Sequence, residues 1–293
     1  MRAHSKRRPL LTSDLGGLNS TILLKNLQEN DHIKHMMPKM AIISESGAWM
    51  QPQAYMPVAN SAVAEYKMES GSITAQVANW SKIEQGTKVT HIDADHDKIT
   101  MSNGKTFTYK ALVLAPGFDT GCHHIKGLDE MQKTHEKEGV FVHMLDNKQR
   151  AIRNFYHGFH HTDGDLMCYA PKFPYKGEGS TFYALYYERM MMTDKMVHRT
   201  KAGARVQFWT PNKEIFEFPY ANEVALDECH KRGVDVMFGW EMIEVKYNEV
   251  GQKIAVMKNV DSGEVIEKDF MTLSMAPPSK PHDFLAKAGL TDS

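Results

Sequence analysis

The sequence predicts an α/β fold in which parallel sheet cores carry antiparallel β-meander inserts. Three observations predict it: an opening strand–turn–helix–strand pattern over residues 9–45, a second alternation of strands and helices over 165–232, and two stretches, 86–117 and 234–274, of short strands punctuated by turns.

Pro9-Leu10-Leu11 reads as a very short strand. The turn Thr12-Ser13-Asp14-Leu15-Gly16-Gly17 follows, and Leu18, Ile22, Leu23 and Leu27 then recur at helical spacing. Lys39-Met40-Ala41-Ile42-Ile43-Ser44-Glu45 reads as a second buried strand that ends in an acid, completing a βαβ unit. Strands are expected at 88–93, 98–101, 106–109 and 111–114, with Asn103-Gly104 as a type I′ hairpin signal. The last of these stops at Ala115-Pro116-Gly117, where a buried strand meets a tight turn at the end of a sheet. In the second half the spacing predicts strands at 165–169 and 204–210, helices at about 180–191 and 221–232, and a meander at roughly 234–274 with turns at Gly251 and Asp261-Ser262-Gly263.

The chain has 293 residues, 42% of them hydrophobic and 24% charged, with a formal net charge of −1, which excludes disorder, collagen and coiled coil. The length fits two domains or one large α/β domain. No apolar run approaches the ~18 residues of a spanning helix, so membrane contact is expected to be peripheral or through a partner. Near-neutral charge argues against nucleic acid as a partner. Cys122, Cys168 and Cys229 stand far apart without a CxxC, so neither a disulfide framework nor a thiolate metal site is expected, and a reducing compartment is the default. The first eight residues carry four Lys/Arg and no acid, as the remnant of a mitochondrial presequence or a plain basic arm would.

A dinucleotide turn needs glycines where the backbone approaches a pyrophosphate, and an acid at the end of the second strand for a ribose hydroxyl. Here the three glycine positions read Thr12, Asp14 and Gly17. Asp14 would set a carboxylate against phosphates, so the turn reads as an ordinary capped helix start ahead of a phosphate site. Glu45 suits a ribose or a solvated turn, and Trp49-Met50-Gln51-Pro52 suits a flavin wall or a surface loop. The densest histidines, His123-His124 and His157, His160 and His161, lack acidic or cysteine companions at ligand spacing, and no metal is expected. Cys229-His230 falls in a helix, where neighbouring side chains diverge by about 100°, so it is not a catalytic pair. Met190-Met191-Met192 suits adaptable packing or an interface.

Taken in order and spacing, Trp49-Met50-Gln51-Pro52, Tyr109-Lys110-Ala111-Leu112-Val113-Leu114-Ala115-Pro116-Gly117, Ile125-Lys126-Gly127-Leu128, Pro174-Tyr175-Lys176-Gly177-Glu178-Gly179 and Met275-Ala276-Pro277-Pro278 resemble the sulfide:quinone oxidoreductases over nearly the whole chain. The resemblance implies two Rossmann-like FAD/NAD(P)-binding-type domains, residues 1–120 with a meander at about 86–117, and 121–293. It implies FAD contacts at Gly17, Glu45, Gln51, Pro52, Ala115 and Gly117 if the cofactor is retained.

The family passes electrons from a sulfide adduct on a redox-active cysteine pair through FAD to quinone. The position of the first cysteine reads Gly177, so no catalytic residue is expected here. Cys168 lies nine residues earlier, and Cys122 falls where some relatives carry a cysteine. The sequence given ends about fifteen residues beyond Pro278, whereas family members continue into the second cysteine, a Gly-Asp strand and amphipathic helices. The expectation is a catalytically degenerate subunit of a mitochondrial membrane-associated complex, with other protein subunits as partners and no cofactor, or FAD if any. The alternatives are an active FAD enzyme completed by another polypeptide, with Cys168 or Cys122 recruited, and a module that holds FAD or NAD without turnover.

Overall fold

The computed structural model describes residues 10–12, 40–44, 48–50, 70–72, 81–117, 122–133, 139–142, 164–175, 184–185 and 203–291. The strands are β1 (Leu10–Thr12), β2 (Met40–Ser44), β3 (Ala48–Met50), β4 (Ser70–Ser72), β5 (Ser81–Gln85), β6 (Val89–Asp93), β7 (Lys98–Met101), β8 (Thr106–Thr108) and β9 (Leu112–Val113). They continue as β10 (Val140–Val142), β11 (Leu166–Tyr169), β12 (Val206–Thr210), β13 (Asp235–Phe238), β14 (Trp240–Tyr247), β15 (Lys253–Asn259), β16 (Val265–Asp269) and β17 (Thr272–Met275). The described helices are α1 (Leu128–Lys133), α2 (Pro219–Arg232) and α3 (Asp283–Lys287). Two compact units result: Met1–Ala54, Tyr66–Asp119 and Pro281–Ser293 form one, and Tyr55–Glu65 with Thr120–Lys280 the other.

The first unit is built on a parallel sheet of order β5-β2-β1-β9. Ala41 and Ile43 of β2 are buried in a core shared with Val89, Ile92, Ile99 and Met101 of the antiparallel β6-β7-β8 sheet, against which Phe284 and Leu285 of α3 pack. The β7–β8 connection departs from the expected type I′ turn. Among its residues only Gly104 is left-handed, at φ +78°. The Asn103 carboxamide accepts the Lys105 amide at 3.0 Å, closing a side-chain turn that keeps Asn103 at negative φ. The result is a three-residue loop with Gly104 N–H donating to Met101 O and Met101 N–H to Lys105 O, both at 2.9 Å.

The second unit holds five parallel strands in the order β10-β17-β11-β12-β13. Every residue of β10, β11, β12 and β17 is buried, the pattern of a sheet covered on both faces. Alternation sorts them. Leu166 and Cys168 join the core that includes Ala225 and Cys229 of α2, whereas Met167 and Tyr169 join Met242, Val245, Ala255 and Met257 of the antiparallel β14-β15-β16 meander. The expected meander at 234–274 is therefore corrected at both ends: 235–238 and 272–275 pair in parallel with β12 and with β10 and β11. α2 begins with Pro219 at its first turn and ends at Gly233, whose φ of +69° permits the closing bonds to Cys229 O and His230 O.

Candidate functional site

The carboxyl ends of β1, β2 and β9 leave the first sheet along one edge. Thr12 stands opposite Ile43 and Leu11 opposite Val113, so the carboxyl ends of the three strands lie side by side. β1 lies between β2 and β9, a topological switch point of the kind where α/β sheets bind ligands. Ala115 and Gly117, two of the expected contacts, sit half-buried at this edge. Gly117 takes φ +73°, closing the turn the sequence anticipates after β9. His282, which no sequence pattern singles out, holds that turn: its Nε2 donates to Pro116 O at 3.2 Å while its ring stacks on Phe284 at 5.9 Å. Trp49 and Met50 form β3, paired with β4. Gly17, Glu45, Gln51 and Pro52 lie outside the described residues.

This edge has the strand order of a dinucleotide site. Thr12 is still paired within β1 where a phosphate turn takes its first glycine. Asp14, at the second glycine position of the sequence pattern, lies outside the described residues.

The equivalent edge of the second unit lies after β11, between β17 and β12. Here the backbone donors a pyrophosphate would use are absent or committed. Ala170 N–H donates to Trp209 O at 3.0 Å, Phe173 N–H donates to Asn212 Oδ1 at 3.1 Å, and Pro171 and Pro174 have none. Among residues 170–174 only the Lys172 amide remains. Asn212, buried, ties the turn further by donating from Nδ2 to Pro171 O and Thr210 Oγ1, each at 2.9 Å. Residues 170–174 therefore do not fit an NAD(P) pyrophosphate, and residues 176–183 lie outside the described residues.

The described part of this turn ends at Tyr175. Tyr175 is buried and stacks on Phe173, 5.3 Å between ring centroids, and Gly177 lies outside the described residues. Cys168 sits inside β11 with no exposed surface, facing α2. Burial pushes its thiol far above the usual range, and the neighbouring Cys229 adds to the shift. Cys229 is buried too, its thiol pushed up to about 11 by burial with help from Glu228. Burial likewise raises the Tyr169 phenol, whose oxygen accepts the Met242 amide at 3.2 Å.

As expected, Cys229 and His230 diverge, one buried and the other exposed. Cys122 opens a 3-10 turn, Cys122–His124, in which the exposed His123 and His124 rings lie 4.1 Å apart. His157, His160 and His161 lie outside the described residues, among which no three His, Cys, Asp or Glu side chains converge as metal ligands. No helix of the described residues is long and apolar enough to cross a membrane.

Sequence reasoning did not find the buried polar relay of the second sheet. Asp165 Oδ2 accepts Gln207 Nε2 at 2.8 Å, and Gln207 Oε1 accepts Trp209 Nε1 at 2.9 Å. A cavity of about 580 Å³ beside edge strand β13 adjoins this relay, lined by Gln207, Trp209, Met237 and the paired Arg205 and Asp235. Asp165 is tied to Gln207 and Arg205 to Asp235, and Asp165 and Arg205 stand at the amino ends of their strands, away from the edge where α/β sheets place ligands.

No protein-family model matches the chain. The mitochondrial sulfide:quinone oxidoreductase of Schizosaccharomyces pombe is 26% identical over 199 residues, 67% of this chain and 41% of that protein, so the chain spans about two fifths of its relative's length. Among solved structures, a chain of the Tetrahymena thermophila mitochondrial ATP synthase matches 100% of this chain and 68% of its own length, with a TM-score of 0.80 and 20% identity. The sulfide:quinone oxidoreductase of Aquifex aeolicus matches 97% of this chain and 61% of its own length, with a TM-score of 0.71 and 15% identity. The fold is that of the FAD/NAD(P)-binding oxidoreductases.

Proposed function

From this sulfide:quinone oxidoreductase-like sequence and fold, we propose that the chain is a catalytically degenerate member of the group, serving as a structural or accessory subunit of a mitochondrial membrane-associated complex. The observation that carries the reading is the state of the sulfur. Sulfide oxidation by a cysteine pair needs a thiolate that the substrate can reach. Gly177 stands at the first cysteine position, and Cys168, upstream of it on β11, is sealed in the core and held protonated.

Two further features support the same reading. In sequence, Asp14 replaces the second glycine of a dinucleotide turn, where a carboxylate would oppose a pyrophosphate, and of residues 170–174 in the second unit only Lys172 keeps an uncommitted amide. In this reading the FAD-binding-type domain, residues 1–120, and the NAD(P)-binding-type domain, 121–293, persist as scaffolds. Likeness over the full chain to a subunit of an ATP synthase favours a mitochondrial host of that kind, with other protein subunits as partners and inner-membrane contact made through them. One observation favours a second reading, an FAD oxidoreductase completed by another polypeptide or a module that holds FAD without turnover: the strand order around β1 keeps the switch point at which such cofactors bind.

The test is native electrophoresis of gently solubilised mitochondrial membranes carrying the chain with an epitope tag at its own locus. Co-migration with a complex many times the chain's mass supports the subunit reading. Migration as the free chain contradicts it.

A further inference from the structure

We propose that the surface formed by Phe218, Tyr220 and Val224 at the start of α2 is a docking site for a basic, apolar segment of a neighbouring subunit. This inference rests on the subunit reading above. Phe218 is 76% exposed and Tyr220 80%, with Val224 one helical turn beyond Tyr220 and 47% exposed. Single exposed apolar residues are ordinary, but two exposed aromatic rings within three residues, with an exposed valine one turn on, mark protein contacts.

Folding does not account for Phe218. It holds the N-cap position of α2, where Ser, Thr, Asp or Asn would bond a free helix amide, and it makes no such bond. The helix thus forgoes its cap and places a ring in water, two costs that a bound partner would offset. The patch is also held in shape before anything binds. Ile215 N–H donates to Asn222 Oδ1 at 2.8 Å and Asn222 N–H to Phe218 O at 2.9 Å, while Asn212 fixes the start of the same loop. A surface so organised loses little entropy on association.

Charge selects the partner. Glu214, Glu217 and Glu223 are exposed around the patch and make no ion pair with a described residue, against a single ammonium, Lys213, in the same segment. Lys or Arg interleaved with apolar side chains would meet both the carboxylates and the aromatic faces.

The first experiment places photoreactive p-benzoylphenylalanine at Tyr220 in the natively assembled protein and sequences what it captures. The expected product joins Tyr220 to a Lys/Arg-containing apolar peptide of a different polypeptide. A link to a second copy of this chain, a link to an acidic peptide, or no link overturns the proposal. The second experiment combines Phe218→Ser with Tyr220→Ser and compares retention in the assembly with that of the native chain. Loss of two aromatic anchors should lower retention by roughly tenfold or more, with no fall in the thermal unfolding midpoint. Equal retention overturns the surface alone. A native chain found outside any complex overturns the subunit reading as well.

Discussion

Replacing Gly127 with alanine tests how the Ile125–Leu128 motif is built. Gly127 has φ +79°, where a side chain costs about 1–2 kcal/mol, and a Cβ there would meet Val245 O at 2.2 Å. Nothing flexible can yield, because that oxygen is backbone of β14. Two bonds clamp the chains together on either side: Lys126 N–H donates to Ile243 O at 3.0 Å, and Val245 N–H donates to Lys126 O at 2.8 Å. Relief requires breaking both, at about 1 kcal/mol each, for a total near ~3–4 kcal/mol. Gly251 supplies the control, since it has φ +80° with nothing within 4 Å of its would-be Cβ. Gly251→Ala should lose about 1–2 kcal/mol, the conformational cost alone. Urea unfolding of both variants, read from midpoints at constant slope, should place Gly127→Ala about 2 kcal/mol below Gly251→Ala. Equal losses would refute the reasoning, for they would mean that the close approach to Val245 constrains nothing.

Other consequences follow from single features. Phe218→Ser should stabilise the isolated chain by about 1 kcal/mol in the same urea assay, because serine restores the missing N-cap of α2; a loss of similar size would contradict the cap argument. Asn212→Ala should lose about 2–3 kcal/mol and expose the Phe173 amide to hydrogen exchange, since Phe173 N–H and Pro171 O lose the Asn212 side chain, while Thr210 Oγ1 keeps only the residue-212 amide. Burial holds Cys229 protonated up to about 11, while the unfolded chain ionises it near its ordinary value of 9.0. Above pH 9 the unfolded state binds fewer protons than the folded one, so this contribution is whole below pH 9 and is lost as pH rises toward about 11. Cys229→Ala should flatten that decline in a pH series of urea midpoints, and an unchanged slope would contradict the burial of the thiol.

Much of the architecture was legible because parallel strands buried on both faces write themselves as apolar runs, as in Leu166–Tyr169 and Val206–Thr210. Strand direction was not legible. Residues 235–238 and 272–275 read as meander until their parallel partners are known, because alternation is the same whichever way a neighbour runs. The turn at Asn103-Gly104 turned on a side-chain bond two residues long, which outranked the dipeptide preference.

At the candidate site, Ala115 and Gly117 were readable as a strand running into a turn. The contact that fixes them was not, since His282 lies 166 residues from Pro116. Gly127 was visible as part of a motif, but its reason was not, because Val245 belongs to a strand far along the chain. The relay from Asp165 through Gln207 to Trp209 also joins distant positions, and a buried glutamine carries no periodic signal. For Cys168 the strand was evident and the face was not; which side a central strand turns toward α2 depends on the register of its neighbours.

The most direct test of the degenerate-subunit account is sulfide titration of the natively purified assembly, followed by its flavin absorption near ~450 nm and by release of any cofactor on denaturation. The account predicts no FAD attributable to this chain and no sulfide-dependent quinone reduction. Stoichiometric FAD that bleaches on addition of sulfide would contradict it.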